Sequence, residues 1–487
     1  MKITHLLLLS SFLLASCVKD ATEKKPNLLV IFPDQWRAQA MGFMGEDPVL
    51  TPNIDKLAGE SIVFTEAVAN YPLCSPMRAM FLTGKYPFQN GVYENCMSNE
   101  TDAIYDIQLA QDQKCWSDVL KEKGYSQGYI GKWHLEKPQK PFLDCLNNKG
   151  KNKWNEWTSP QRRHGFDYWY AYNTYDYHLR PLYWSNDAGR EDFHYVDQWS
   201  PIHEADMAIN YLENKNGKLR DESKPFSLVV AMNPPHDDGE GLYEEVPQKY
   251  IDYYGAKTFK DLAVRPNARQ EDGSYTEWAK GHIKNYFAMI TGVDEQIGRI
   301  LQSLKKQGLD ENTIVMLIAD HGDLLGSHNT RGKEFHYEES MRIPLFIRWP
   351  EKLKPRSEDL MLSIPDIYPT ILTLMGFEDA IPKEVTGRNF AQYLITEKGN
   401  TPQSQLYIRV KDRREPDKGL RGVRTQRYTL AIDHGNYFFD GAVLHDNISD
   451  PYQMENIATE KPEIVDSLKI VLKDWLEKTN DPFSGLQ

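Results

Sequence analysis

The sequence predicts an α/β protein: a large mixed, mostly parallel sheet flanked by helices on both faces, followed by a smaller C-terminal α+β subdomain. Short continuous apolar runs at residues 27–32 (NLLVIF), 226–232 and 313–319 fit strands buried on both faces, as parallel sheets require. Helical patterns such as 283–304 fall between them, and strands alternating with helices indicate a sheet covered on both sides. Past residue 376 the texture changes. Short runs at 406–410, 422–425, 428–433 and 437–440 read as strands with polar turns, and 464–476 as a closing helix.

Ahead of the first strand, Lys2 and the apolar run 3–14 read as a signal peptide, too short to span a bilayer as a stable helix. Leu14-Ala15-Ser16-Cys17 looks like a bacterial lipobox, which makes Cys17 the lipidated first residue of the mature chain; a plain secretory signal is the alternative. The expected organisation is therefore a signal peptide (1–16), a lipidated N-terminus and tether (17–26), a catalytic α/β domain (27–375) and a C-terminal subdomain (376–487) with a small antiparallel sheet and helix. Such a chain is exported, periplasmic or at the cell surface, and touches the membrane only through its N-terminal lipid.

The 487 residues are enough for a substantial core, and the formal charge of −13 excludes a nucleic-acid partner, which would need clustered Lys and Arg. An anionic substrate would require positive charge concentrated locally. The 27 Tyr, 11 Trp and 19 Phe supply core rings, or stacking platforms for sugars. Beyond Cys17 there are four cysteines, 74, 96, 115 and 145, too few for a disulfide framework, and a Cys96–Cys115 pairing stays open in an oxidising compartment.

Each of the three apolar runs ends in a polar cluster: Pro33-Asp34-Gln35, Asn233-Pro234-Pro235-His236, and Asp320-His321-Gly322-Asp323. Sites in open α/β sheets form at the carboxyl ends of strands, so the three clusters predict one shared site. Between them lies Cys74-Ser75-Pro76-Met77-Arg78, continued by AMFLTG. Pro76 suits the first turn of a helix and Gly84 its end, which puts Cys74 at a helix N-terminus favourable to anions and Arg78 one turn later on the same face. A buried thiol at a helix start is the plain alternative.

This pentapeptide followed by LTG resembles the signature of the sulfatases, in which the Cys is converted to formylglycine. Other stretches resemble that family in the family's order: KPNLLVIFPDQ with its metal-binding Asp, LTPNIDKLA, GYIGKWHL with a catalytic Lys and His, NPPH, ADHGD, GK with YEESMRIP, and DPYQMEN near the end. The resemblance spans nearly the whole mature chain and implies a sulfuric ester hydrolase using one calcium ion. Asp34, Gln35, Asp320, His321 and position 74 are then the metal ligands, and Cys74, Arg78, Lys132, His134, His236 and Lys333 the catalytic residues. A maturation enzyme that makes the formylglycine is an implied partner.

The chemistry agrees with that assignment. Negative oxygens crowd the sulfur while an alkoxide leaves, so Arg78, Lys132, Lys333 and a divalent cation supply positive charge, His236 with Lys333 protonates the leaving alcohol, and His134 takes a proton from the nucleophile's second hydroxyl. Three departures matter. Gln35 and His321 stand where many sulfatases have Asp and Asn, a combination also found in related phosphonate monoester hydrolases and choline sulfatases; Met77 stands where Ser is commonest. An all-oxygen site suits calcium best, and an imidazole makes manganese or zinc less unfavourable.

The dense aromatic segment 165–184 either walls a sugar subsite, with His178 or Arg180 contacting hydroxyls or a carboxylate, or is a packed insertion; His336, near Lys333, is a further candidate contact. The expected substrate is a sulfated carbohydrate. A phosphonate or phosphate ester hydrolase, or a catalytically silent glycan-binding lipoprotein, is the alternative.

Overall fold

The computed structural model describes residues 24–99, 106–239, 241–268 and 274–486. The signal segment, Cys17 and most of the tether lie outside the described residues.

An eight-stranded sheet forms the centre, in the spatial order Arg356–Glu358, Ile62–Phe64, Leu345–Arg348, Thr313–Ile318, Asn27–Ile31, Phe226–Ala231, Ser126–Lys132 and Tyr168–Tyr172. Only Leu345–Arg348 runs against its neighbours. The Asn27–Ile31 strand sits between the other two apolar runs, with Leu28 in register with Ile314 on one side and Ser227 on the other. Leu29, Val30 and Ile31 are completely buried. Side chains of this kind gain roughly 1.5–3 kcal/mol each on leaving water, which explains why the run is apolar without alternation.

Helices cover both faces. Ser200–Glu213 and Pro52–Gly59 pack with the long helix Ser274–Lys306, while Cys74–Thr83 packs with Trp116–Glu122 and Ile364–Leu374. The long helix buries Ile283, Phe287, Ile290, Ile297, Ile300 and Leu304, an apolar stripe spaced three, four and seven residues apart.

Four adjoining parallel strands, those ending at Ile318, Ile31, Ala231 and Lys132, point their carboxyl ends the same way. The segments that follow them are consequently gathered at one edge.

The Cys74–Thr83 helix is buried along its whole length and stops at Gly84, whose φ of 64° places it in the left-handed region, with its N–H bonded to the Met80 carbonyl. A Cβ there would fall 2.8 Å from Val385 Cγ1 and 2.9 Å from Tyr368 Cβ. Gly84→Ala is therefore expected to destabilise the protein by roughly 1–3 kcal/mol, read as a lowered denaturant midpoint. An unchanged midpoint would show that this end of the helix relaxes freely.

The C-terminal part carries a four-stranded antiparallel sheet, Gln405–Val410, Gly419–Arg424, Tyr428–His434 and Ala442–Asp446, with the helix Pro462–Thr479 packed against its second strand. The expected strand at 437–440 is instead an irregular turn. The Asp433 carboxylate accepts from the backbone N–H groups of Phe438 and Phe439 at 2.6 and 3.1 Å, which satisfies that backbone without a ladder, and pairing resumes only at Ala442. Cys74, Cys96, Cys115 and Cys145 are buried free thiols, so Cys96 and Cys115 are not bridged. The sheet meets the segment after the large sheet's Thr313–Ile318 strand where Tyr407 donates to the Glu334 carbonyl at 2.5 Å, next to Lys333.

Candidate active site

The gathered strand ends build one buried cluster. Asp34 follows the first strand; Asp320 and His321 follow the Thr313–Ile318 strand; Cys74 opens its helix opposite them. One ligand atom from each of Asp34, Cys74, Asp320 and His321 lies within 4.8 Å of the others. The Cys74 sulfur is 3.2 Å from His321 Nε2 and 3.8 Å from Asp34 Oδ1. His321 Nδ1–H donates to the Gly322 carbonyl at 3.1 Å, which leaves the Nε2 lone pair facing the cluster, the tautomer a metal ligand needs.

These residues fit a divalent cation. Asp320 Oδ1 is fixed by the backbone N–H groups of Gln35 and His321, at 3.0 and 2.9 Å, while the buried Oδ2 has no hydrogen-bond partner. Two carboxylates, one with an oxygen that accepts no hydrogen bond and is met only by the Arg78 ion pair at 3.3 Å, beside a correctly tautomerised imidazole make a donor set for a hard or borderline metal. Gln35 closes one side, held in left-handed backbone at φ 61°. Its Oε1 accepts from Lys333 Nζ at 2.7 Å, and its Nε2 donates to Asp323 Oδ2 at 2.5 Å and to Tyr243 at 3.0 Å.

Cations ring the acids. Lys132 Nζ lies 2.8 Å and Arg78 Nη2 3.0 Å from Asp34 Oδ2, and the same Arg78 nitrogen is 3.3 Å from Asp320 Oδ2. Arg78 Nη1 donates to the Lys132 carbonyl at 2.7 Å, an oxygen that also accepts from Tyr129 at 2.6 Å, and Lys132 Nζ donates to Asn233 Oδ1 at 2.9 Å. Lys333 Nζ is 3.2 Å from the Cys74 sulfur and donates to His236 Nε2 at 2.9 Å, while His236 Nδ1–H donates to the Asp237 carbonyl at 2.8 Å. His134, at φ 56°, is buried with neither ring nitrogen partnered, and its carbonyl accepts from Ser75 at 2.7 Å, one residue past Cys74. An unpartnered buried imidazole is costly, and its ring nitrogens are uncommitted.

Burial and charge tune these groups. Burial, then the negative charge of Asp34, pushes the Cys74 thiol up to about 12. Burial pushes Asp34 up, yet Lys132, Arg78 and Lys333 together hold it well below the usual carboxylate range. Burial first, with Asp34 second, raises Asp320 to about 7. Burial, reinforced by Lys132, holds His134 and His236 well below the ordinary imidazole value, so both are neutral at pH 7.

Ten residues named from the sequence thus come together: Asp34, Gln35, Cys74, Arg78, Lys132, His134, His236, Asp320, His321 and Lys333. Of the three suggested sugar contacts, His178 borders this cluster and Arg180 and His336 pair with other residues. His178 is buried, its Nε2 3.0 Å from the His236 carbonyl, where it braces that backbone. Arg180 is exposed, paired with Asp197 at 3.1 Å and lying over the Tyr195 ring. His336 is buried against His445, with the two Nε2 atoms 3.4 Å apart. Tyr170, Tyr172, Tyr175 and Trp184 of the aromatic segment are buried among themselves and their neighbours, a packed insertion. A cavity of about 370 Å³ beside Lys333 is lined instead by Asp237, Tyr243, Trp278, Arg331, Phe335 and Arg409.

Four supporting residues escaped sequence reasoning. Asn233 and Asp323 lie inside motifs already noted, so their neighbours were signals for them. Asp176 lies inside the aromatic segment 165–184 also noted, whereas Tyr243 carried no signal; Asp176 accepts from Asn233 at 2.9 Å and lies 3.8 Å from His236 Nδ1.

Comparison with known proteins matches the model of the sulfatase family to residues 26–377 and that of the N-sulphoglucosamine sulphohydrolase C-terminal region to residues 326–481. An endo-4-O-sulfatase of Bacteroides thetaiotaomicron is 40% identical, the match covering 94% of this chain and 93% of the relative. An ulvan-active sulfatase of Formosa agariphila is 32% identical, covering 100% and 89%. The crystal structure of yidJ from Bacteroides fragilis superposes with a TM-score of 0.88 at 45% identity, covering 95% of this chain and 97% of that one.

Proposed function

The chain belongs to the sulfatase family, and from that premise we propose that it releases sulfate from a sulfated carbohydrate, using a formylglycine made from Cys74 and one calcium ion. The observation that carries the reading is the Cys74 sulfur lying 3.2 Å from both His321 Nε2 and Lys333 Nζ, inside a cage of two carboxylates and three cations. Relatives that act on ulvan and as an endo-4-O-sulfatase support a glycan substrate and favour sulfate over phosphonate esters.

Asp34, Gln35, Asp320 and His321 would hold the cation, which would supply positive charge that makes a nearby hydroxyl more acidic and offsets the charge of the sulfate oxygens. Position 74, once oxidised and hydrated, supplies two hydroxyls: one bonds to sulfur as the ester oxygen leaves, and collapse of the other to a carbonyl later expels sulfate. Arg78, Lys132 and Lys333 face the sulfate oxygens and stabilise their charge in a water-poor site. His236 and Lys333 share a proton across 2.9 Å and deliver it to the departing alcohol oxygen. His134, neutral and unpartnered, removes the proton of the second hydroxyl, and water then restores the starting diol.

Among the described residues no helix is long and apolar enough to cross a membrane. We place the enzyme outside a bacterial cell, tethered through Cys17, where sulfated polymers are met.

Matured protein incubated with sulfated oligosaccharides should release inorganic sulfate and yield the desulfated sugar by mass spectrometry. Cleavage of an aryl phosphonate with no sulfate released from any carbohydrate would overturn the proposal. The metal assignment has its own test. Asp320→Ala should leave the fold intact and lower bound calcium, measured by elemental analysis and calorimetry, by roughly 10-fold or more, and chelation of the wild type should stop turnover until calcium is restored. Undiminished calcium binding in Asp320→Ala would remove that ligand.

A further inference from the structure

Arg409 comes from the C-terminal sheet and reaches the cavity beside Lys333. Its guanidinium lies 4.3 Å from the ring centre of Phe335 and 3.9 Å from that of Phe438. Contacts with ring faces hold a cation without using its N–H donors. Glu334 Oε2 is 3.0 Å from Nε, yet the buried Nη1 has no hydrogen-bond partner. Arg409 is 8% exposed. A guanidinium donor buried without an acceptor is unfavourable, and a planar fork of this kind matches an oxyanion.

The same wall carries Arg331, exposed over Tyr275 and Trp278, with no ion-pair partner among the described residues. In a chain of net charge −13, the cavity lining sets Arg331, Lys333 and Arg409 against Asp237, Asp323 and Glu334, so it carries no net negative charge. The cavity, at about 370 Å³, falls within the roughly 300–1,000 Å³ usual for small-molecule sites, and Trp278 lines it.

We infer that this cavity is a second recognition site, in which Arg409, aided by Arg331, binds a carboxylate or sulfate on the sugar adjacent to the one being desulfated. The enzyme then reads a polyanionic chain and not an isolated sulfate ester. This rests on the carbohydrate sulfatase reading above.

The test compares kcat/KM on three substrates: a sulfated disaccharide with a uronic acid, the same compound with its carboxylate reduced to an alcohol, and one with a second sulfate added. R409Q should lose roughly 10- to 100-fold on the acidic disaccharide, the size of one charge-assisted contact. Wild type should lose a similar factor on the reduced compound, where R409Q makes little further difference. A loss restored by the second sulfate in place of the carboxylate identifies sulfate as the oxyanion. Equal losses for R409Q on acidic and neutral-flanked substrates would overturn the site. Should R409Q fail to fold, R331Q at its exposed position should show the same loss of selectivity to a smaller degree, and no change in selectivity there counts against the site.

Calorimetric binding of an unsulfated uronic oligosaccharide separates this inference from the reaction itself. Binding that R409Q weakens at least about 10-fold supports the site even if no carbohydrate sulfate is hydrolysed. That pattern would count against the sulfatase reading alone. Turnover of carbohydrate sulfates with binding and selectivity indifferent to both variants would overturn the site alone.

Discussion

Cys74→Ala is expected to lower turnover of carbohydrate and aryl sulfates alike by on the order of 10⁴-fold or more, the scale seen when a covalent nucleophile is removed. Burial and Asp34 push the Cys74 thiol up to about 12, so at neutral pH it stays protonated and is a poor nucleophile as it stands. Even as a thiolate it would be left carrying a thiosulfate with no internal route to release. A hydrated aldehyde can expel sulfate by collapsing back to the carbonyl. We therefore expect position 74 to work only when oxidised. Protein from a host with the maturation activity should show a mass deficit on the peptide spanning Cys74 to Arg78 and should react with a hydrazide. Protein made without it should keep the thiol and be nearly inactive, yet fold and bind calcium, because Asp34, Asp320 and His321 are positioned by strands that do not depend on the conversion. Full activity in a sample shown to be entirely thiol would refute the mechanism.

What the sequence disclosed follows from which interactions are local. The apolar runs before Asp34, His236 and Asp320 are complete signals in themselves: each is a strand buried on both faces that ends where polar residues begin. Their meeting required only that the strands be parallel neighbours. The grip on Gln35 was not legible, because Tyr243 reaches it from an irregular segment whose path is set by packing. The fate of His336 was hidden for a similar reason: its partner, His445, comes from a strand more than a hundred residues later. The aromatic run at 437–440 has strand-like composition, but one carboxylate, Asp433, satisfies its backbone and turns the chain. Aromatic density in 165–184 was visible, whereas its burial was not, since rings that stack on one another and rings that await a sugar share a composition.

His236→Ala is expected to slow hydrolysis of carbohydrate sulfates, whose alkoxide is a poor leaving group, by roughly 100-fold or more, while activated aryl sulfates lose far less. The reason is geometric. His236 Nε2 is unprotonated at rest, since its Nδ1–H is committed to the Asp237 carbonyl and burial with Lys132 and Lys333 holds its pKa well below the ordinary value. The proton it needs sits 2.9 Å away on Lys333, which burial pushes down but which the charge of Asp34 helps hold above the ordinary lysine value. In the proposed reaction the pair would act as one donor, Lys333 holding the proton and staying cationic beside the sulfate until the ester bond breaks. An aryl oxygen leaves well without this help, so the ratio of the two losses reports acid assistance free of any general damage to the site. Single-turnover rates on an aryl sulfate and on a sulfated disaccharide, measured for wild type and variant, give that ratio directly. Equal losses on both substrates would remove His236 as the acid, and a selective loss found only in Lys333→Met would move the role to the lysine.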